Sequence, residues 1–315
     1  VLNDVLLGLV VASADVDLMD EATLLVKGFA RHIVLLEANN TTRSFSKSPD
    51  VCTENSRCEI EGEITMLCNA LLQAWCSQNA DIVKSATRVL KYLVQAVRVI
   101  GRKDHTMKIW SIMVSQLVHG CYDQKWQNKV GSAIGLKAMC QELSVEWVLS
   151  NDVKIVNAVL SLFQHHPFEY QAHVFSYAQQ TLNYIFIKRP ILPVKRTTTE
   201  QKTGNASQMG NSSNNASSTE AVGGHESKAE DSNLNILKDH DSNLCKIVLL
   251  LADALAKPFK SSRNSAQRYL KKISSIVGLT ELQLLQPAKE RLKKYVLTRS
   301  LRSVMDAEQI ARINT

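Results

Sequence analysis

Residues 61–100 read EGEITMLCNALLQAWCSQNADIVKSATRVLKYLVQAVRVI. In the first half the apolar positions are Ile64, Leu67, Cys68, Leu71, Leu72 and Trp75, spaced by threes and ones on one face of a helix. In the second half Ile82, Val83, Ala86, Val89, Leu90, Leu93, Val94 and Val97 repeat the stripe over about four turns. Asn79 or Asp81 offers a short side-chain oxygen to cap the second helix. Two helices with broad apolar faces and a short link form a hairpin that cannot bury both faces alone. Stacking hairpins on one another buries them, which is the physics of a solenoid.

The same period recurs along the chain. It predicts helices near Val1–Ala12, Glu21–Glu37, Thr106–His119, Lys125–Gln141, Asp152–Phe163, Glu169–Ile187, Leu244–Ala256, Ser262–Val277 and Ala288–Val296. Gly101, Gly120 and Gly278 fall at expected helix ends, where a left-handed residue is wanted. Thr280 and Gln283 have capping-box spacing, and Pro287 suits the first turn of a last, basic helix. No segment alternates as a strand does. A generic helical bundle is the rival architecture. Every link is local and no central core is evident, so the expected fold is all-α, an α-solenoid of antiparallel helix pairs.

Composition agrees. Apolar residues make up 45% of the 315 residues, and 12 Gly with 6 Pro leave few turns, so the elements must be long. Residues 197–232 are dominated by Ser, Asn, Thr, Gly and Ala and cannot bury enough surface to offset chain entropy. The expected organisation is helical repeats over 1–188, a disordered Ser/Asn-rich insert over 189–243, and continuing repeats with a basic face over 244–315. Val1–Ala12 is too short to span a membrane and lacks a basic n-region. We expect a piece of a longer, soluble, intracellular chain. Seven Cys without regular spacing point to buried thiols in a reducing compartment.

Catalytic motifs are not found. The chain has no phosphate-cradling G-x-G-x-x-G or G-x-x-x-x-G-K-[ST], no G-x-S-x-G elbow, no H-E-x-x-H and no kinase loop. His165 and His166 are adjacent, so on a helix they diverge and suit a polar helix end better than a metal. Cys52 and Cys58, expected in a loop, lack the two further ligands that zinc needs. No catalytic residue, cofactor, metal or small-molecule substrate is expected.

Charge is more informative. The formal net charge is +7, and residues 257–302 alone carry twelve Lys/Arg against Glu281 and Glu290. Lys289, Arg291, Lys293, Lys294, Arg299 and Arg302 are interleaved with Leu292 and Val296, as on an amphipathic helix. This candidate face suits an acidic protein partner, with a nucleic-acid backbone the weaker option because aromatics are few there. The alternative is a solvated solenoid edge.

Two blocks and a shorter pattern carry a resemblance. Asp81, Val83, Lys84, Ala86 and Leu90 resemble the second helix of a HEAT repeat, with a weaker copy at Arg263, Ala266 and Leu270. The block CYDQKWQNKVGSAIGLKAMCQELSVEWVLSNDVKIVNAVLSLF (121–163), with Trp126, Lys129, Gly131, Gly135, Leu136, Lys137, Trp147, Val148 and Leu149, resembles the transformation/transcription domain-associated protein (TRRAP) family. Val277–Thr280 followed by Leu284, Pro287 and Leu292 is a second match. Gly131 and Gly135 would give a smooth helix face for a close neighbour, with Trp126 and Trp147 as packing anchors around it. The resemblance implies a non-catalytic nuclear scaffold segment in SAGA-like histone acetyltransferase complexes. It would bind transcription activators and complex subunits. The competing expectation is a HEAT scaffold of another large protein, an active kinase relative or a transport adaptor.

Overall fold

A computed structural model describes residues 2–43, 53–104, 107–164, 168–188 and 242–289. Among these residues there is no strand, and the helices follow one another as pairs. The pairs are α1 (Leu2–Ala12) with α2 (Met19–Arg43), α3 (Thr53–Trp75) with α4 (Ala80–Val99), and α5 (Lys108–Cys121) with α6 (Trp126–Glu142). Then come α7 (Val145–Ser161) with α8 (Phe168–Lys188), and α9 (Asn243–Leu255) with α10 (Lys260–Val277). A short α11 (Glu281–Leu285) and a 3-10 turn (Gln286–Ala288) follow.

The pairs stack in register. The first helices pack in the order α1, α3, α5, α7, α9, and the second helices in the order α2, α4, α6, α8, α10. Two layers result, with the apolar residues between them. One buried cluster runs from Leu6 to Leu284. It takes in α7 and α9 alike, and the Asn243 amide donates to the Leu149 carbonyl at 3.0 Å, so helices before and after 189–241 share a core. This is the α-solenoid expected from the apolar period.

Capping explains most boundaries. Asn79 caps α4 by accepting the Asp81 N–H at 2.8 Å. Ser144 caps α7 by accepting from Trp147 at 3.4 Å, so α7 starts at Val145 rather than at the expected Asp152. Ser242 caps α9, and Thr280 with Gln283 forms a full capping box on α11. Gly101 and Gly278 take φ of 72° and 73°, the left-handed ends that only glycine adopts without strain. Pro287 stands in the 3-10 turn.

Two expectations need correction. Gly120 does not end a helix: it lies inside α5, buried, and a side chain there would collide with the Ser132 hydroxyl of α6. Cys58 is in α3, not in a loop; Cys52 falls outside the described residues, as do His165, His166, the insert 197–232 and the residues beyond Lys289 where a basic helix is expected.

α6 is the most enclosed helix. From Gly131 to Cys140 every residue is buried except Lys137, which is half-exposed. Small residues let its neighbours in. A Cβ on Gly131 would stand 2.5 Å from Cys76 Sγ and 3.2 Å from the Leu72 carbonyl oxygen. One on Gly135 would stand 2.6 Å from Leu117 Cδ2 and 2.8 Å from the Trp75 ring. Gly135 is thus the seat of Trp75, whose indole N–H donates to Thr87 at 3.3 Å. Trp147 is buried in the first turn of α7, and Trp126 is half-buried at the start of α6.

Several polar groups inside the stack are paired between repeats, although Trp110 Nε1 and the Ser132 hydroxyl are buried there without a hydrogen-bond partner among the described residues. Buried Glu37 of α2 accepts the N–H groups of Lys108 and Ile109, the latter at 3.3 Å, and so caps α5 from another repeat. Met107, which precedes α5, has no side-chain cap to offer. Buried Asp104 accepts from the Ser144 N–H at 2.7 Å, linking the loops that precede α5 and α7. Ser13 and Ser85 bond each other, and Ser85 donates to the Val10 carbonyl at 2.8 Å, closing α1 onto α4.

Two outcomes follow. Gly131→Leu should lower stability by about 1–3 kcal/mol, because a backbone carbonyl as well as a side chain blocks the space. An unchanged thermal melt would show that α6 is not packed on α3. For Glu37, burial pushes the carboxyl above its ordinary 4.5, while the two N–H groups and the Lys108 charge pull it back. A raised folded-state pKa means that folding favours the protonated form, so this group's contribution falls as pH rises from 4.5 through the folded value. Glu37→Gln should remove that decline. Glu37→Ala, which orphans two N–H groups, should cost about 1–3 kcal/mol at low pH, and less as pH rises through the folded value. Identical pH–stability curves for wild type and Glu37→Gln would contradict this account.

Candidate interaction surface

Of the basic residues singled out above, Lys289 lies among the described residues, half-exposed at the end of the 3-10 turn. Arg291, Lys293, Lys294, Arg299 and Arg302 lie outside them. Gly131 and Gly135 are buried in α6, Trp147 is buried at the start of α7 and Trp126 is half-buried, so none of these four forms part of an open site; the indole nearest Gly135 is that of Trp75, not of Trp126 or Trp147.

Among the described residues no group of three or more His, Cys, Asp or Glu is placed to hold a metal ion. The thiols are packing groups: burial alone holds Cys68 up at about 12, and burial chiefly holds Cys76 at about 11 and Cys121 higher still. A protonated, buried thiol is a poor nucleophile. No described helix is long and apolar enough to cross a membrane.

The two layers differ at their surfaces. Among the described residues the first-helix layer exposes few cations, Lys154 and Lys246, among short uncharged residues such as Asn69, Gln73, Ser111, Ser115, Ser150 and Asn157. The second-helix layer exposes cations. Lys27 lies 4.9 Å from the Tyr92 ring centre and Lys137 lies 5.3 Å from that of Tyr177. Arg88 donates to the Ser13 carbonyl at 3.0 Å and Arg98 to the Glu142 carbonyl at 2.9 Å. On α10, Arg263 donates to the Pro258 carbonyl at 2.6 Å, Arg268 to Gln179 Oε1 at 3.5 Å and Lys272 to Asn183 Oδ1 at 3.3 Å. Tyr269, between them in sequence, stacks on Phe186 at 5.2 Å and donates its hydroxyl to the Gln179 carbonyl at 2.9 Å. Burial pushes that hydroxyl up to about 12. Among the described residues carboxylates join in with Lys84, paired with Asp81 at 2.9 Å, and with Lys91, paired with Glu142 at 3.5 Å.

Sequence reasoning counted the α10 cations but could not see their settings. The signal was available in outline: α10 has five Lys/Arg and no Asp/Glu, and Gln171–Ile187 of α8 has no Asp, Glu, Lys or Arg. That these two helices are neighbours is a tertiary fact.

The comparisons with known proteins agree with this architecture. The family described as the Tra1 HEAT repeat ring region matches residues 1–315. The chain is 22% identical over 158 residues to "Transcription-associated protein 1" of Drosophila melanogaster, covering 49% of this chain and 4% of that protein. It is 22% identical over 200 residues to "Transformation/transcription domain-associated protein" of Danio rerio, 63% of this chain and 4% of that one. Against the Homo sapiens protein of the same name it is 25% identical over 92 residues, 29% of this chain and 2% of that one. The chain thus aligns with only a few per cent of the length of these curated relatives. With its helix pairs stacked in two layers and the match running from its first residue to its last, this chain belongs to the Tra1 HEAT repeat ring region family.

Proposed function

We propose that this chain is a non-catalytic scaffold segment of a transcription coactivator subunit. It would work in the nucleus, in SAGA-like histone acetyltransferase complexes, and bind transcription activators and complex subunits. The observation that carries this reading is the family match over the whole chain, together with relatives named for transcription. The architecture supports it physically. The large apolar side chains go mainly into one continuous core, and what remains is an extended, rigid, polar surface. Such a surface holds partners by area rather than by a pocket. The apolar cavity between α1, α2, α3 and α4, lined by Leu6, Leu9, Phe29, Leu67 and Leu93, offers no polar group to a substrate.

Activator segments rich in acidic and scattered apolar residues order on binding. The basic run that begins at Lys289, with Leu292 and Val296 interleaved, offers charge and apolar contact of the complementary kind. Contact of this kind weakens with salt, because exposed charges are screened over about 8 Å at physiological ionic strength. Replacing Lys289, Arg291, Lys293 and Lys294 by Ser should reduce capture of an acidic activation segment at low salt, with the melt unchanged. Equal capture by both proteins would exclude this face. Acetyl or phosphoryl transfer by the pure chain would overturn the scaffold reading.

A further inference from the structure

The second-helix layer over α6, α8 and α10 presents charge in an unusual setting. Lys137 rests on the Tyr177 ring at one flank of α8. Arg268 and Lys272 bond Gln179 and Asn183 at the other flank. Lys271 is exposed beside them. Between the flanks α8 shows His173, Ser176 and Gln180 to solvent or at half exposure. Among the described residues no carboxylate is within ion-pair distance of Lys137, Arg268, Lys271 or Lys272.

Three of the four cations are therefore held by neutral groups. A ring face or an amide oxygen fixes the side chain without cancelling its charge. The entropy of ordering these long side chains is met in the fold, while the field they project stays positive. Their charged ends lie on opposite flanks of α8, about one helix diameter, 10–12 Å, apart. A single phosphate or carboxylate cannot reach both flanks, whereas a polyanion can.

We propose that this α6–α8–α10 face binds the phosphate backbone of double-stranded nucleic acid, without reading base sequence. Its uncharged groups favour nucleic acid over an acidic peptide. Ser176 and Gln180, on the open side of α8, are partners for phosphate and sugar oxygens. A peptide that docks as an amphipathic helix needs an apolar groove. Among the described residues, the one large aliphatic side chain exposed on this face, Ile187, lies at the far end of α8.

The test is fluorescence anisotropy of the full 315-residue chain with labelled duplexes of about 25 base pairs and unrelated sequences, at about 50–200 mM salt. Arg268→Gln/Lys271→Gln/Lys272→Gln is compared with wild type. Wild type should bind the duplexes alike, with log K falling linearly in log salt. The triple variant should bind more weakly, with a slope shallower by about 2.7, three phosphate contacts at about 0.9 each. The basic run after Lys289 is present in both proteins, so its contribution cancels in the difference. If the triple variant melts early, Lys271→Gln alone should still remove about one unit of slope. Absence of duplex binding at low salt, or equal affinity and slope in variant and wild type, would overturn the proposal. So would a polyglutamate peptide bound in a variant-sensitive way while duplexes are not.

Discussion

α6 has no side that can face water between Gly131 and Cys140, apart from the half-exposed Lys137. A helix that is apolar all round must be enclosed all round. Here α3, α4, α5, α7 and α8 enclose it. Five neighbours fit around one helix only if its own side chains are small where they cross, and Gly131, Ser132, Ala133, Gly135 and Ala138 are small. The large groups come from outside: Trp75 and Leu117 close over Gly135, and Leu72 and Cys76 over Gly131. The repeats on either side take their spacing from this contact.

Enclosure on this scale leaves few routes to water for polar groups, and the chain answers with pairs that cross repeats. Glu37 caps a helix three elements away, Asp104 ties one interhelical loop to another, and Arg102 reaches the Ala38 carbonyl at 3.4 Å. Removing one partner of such a pair strands the other in a low-dielectric interior. The pairs therefore set which repeat lies next to which, as well as adding stability. A surface built on such pairs can hold its cations in fixed array, which the tyrosine rings and amide oxygens along α4 and α8 do.

Much of the fold was legible from local pattern. The stripes of Ile64–Trp75 and Ile82–Val97 specify helix, face and length, and the Asn79, Thr280 and Gly278 signals locate ends because capping is a short-range bond. What was hidden depends on distant residues. Gly120 looks like a helix end until Ser132 is seen against it, and nothing near Met107 suggests that its helix is capped by Glu37. Ser144 does not stand out as a helix start, because Glu146, Ser150 and Asn151 dilute the apolar stripe of α7. The candidate surface was half legible: the positive charge of α10 can be counted, but its neutral partners on α8 lie about 90 residues away in the chain.

Hydrogen–deuterium exchange resolved by peptide tests the enclosure of α6 most directly. Amides of 131–140 should exchange only through global opening, more slowly than those of the flanking α2 and α10, whose outer faces meet solvent. Exchange in 131–140 as fast as in α2 or α10 would mean that α6 is not the enclosed centre of the stack, and the account of its glycines and tryptophans would fail with it.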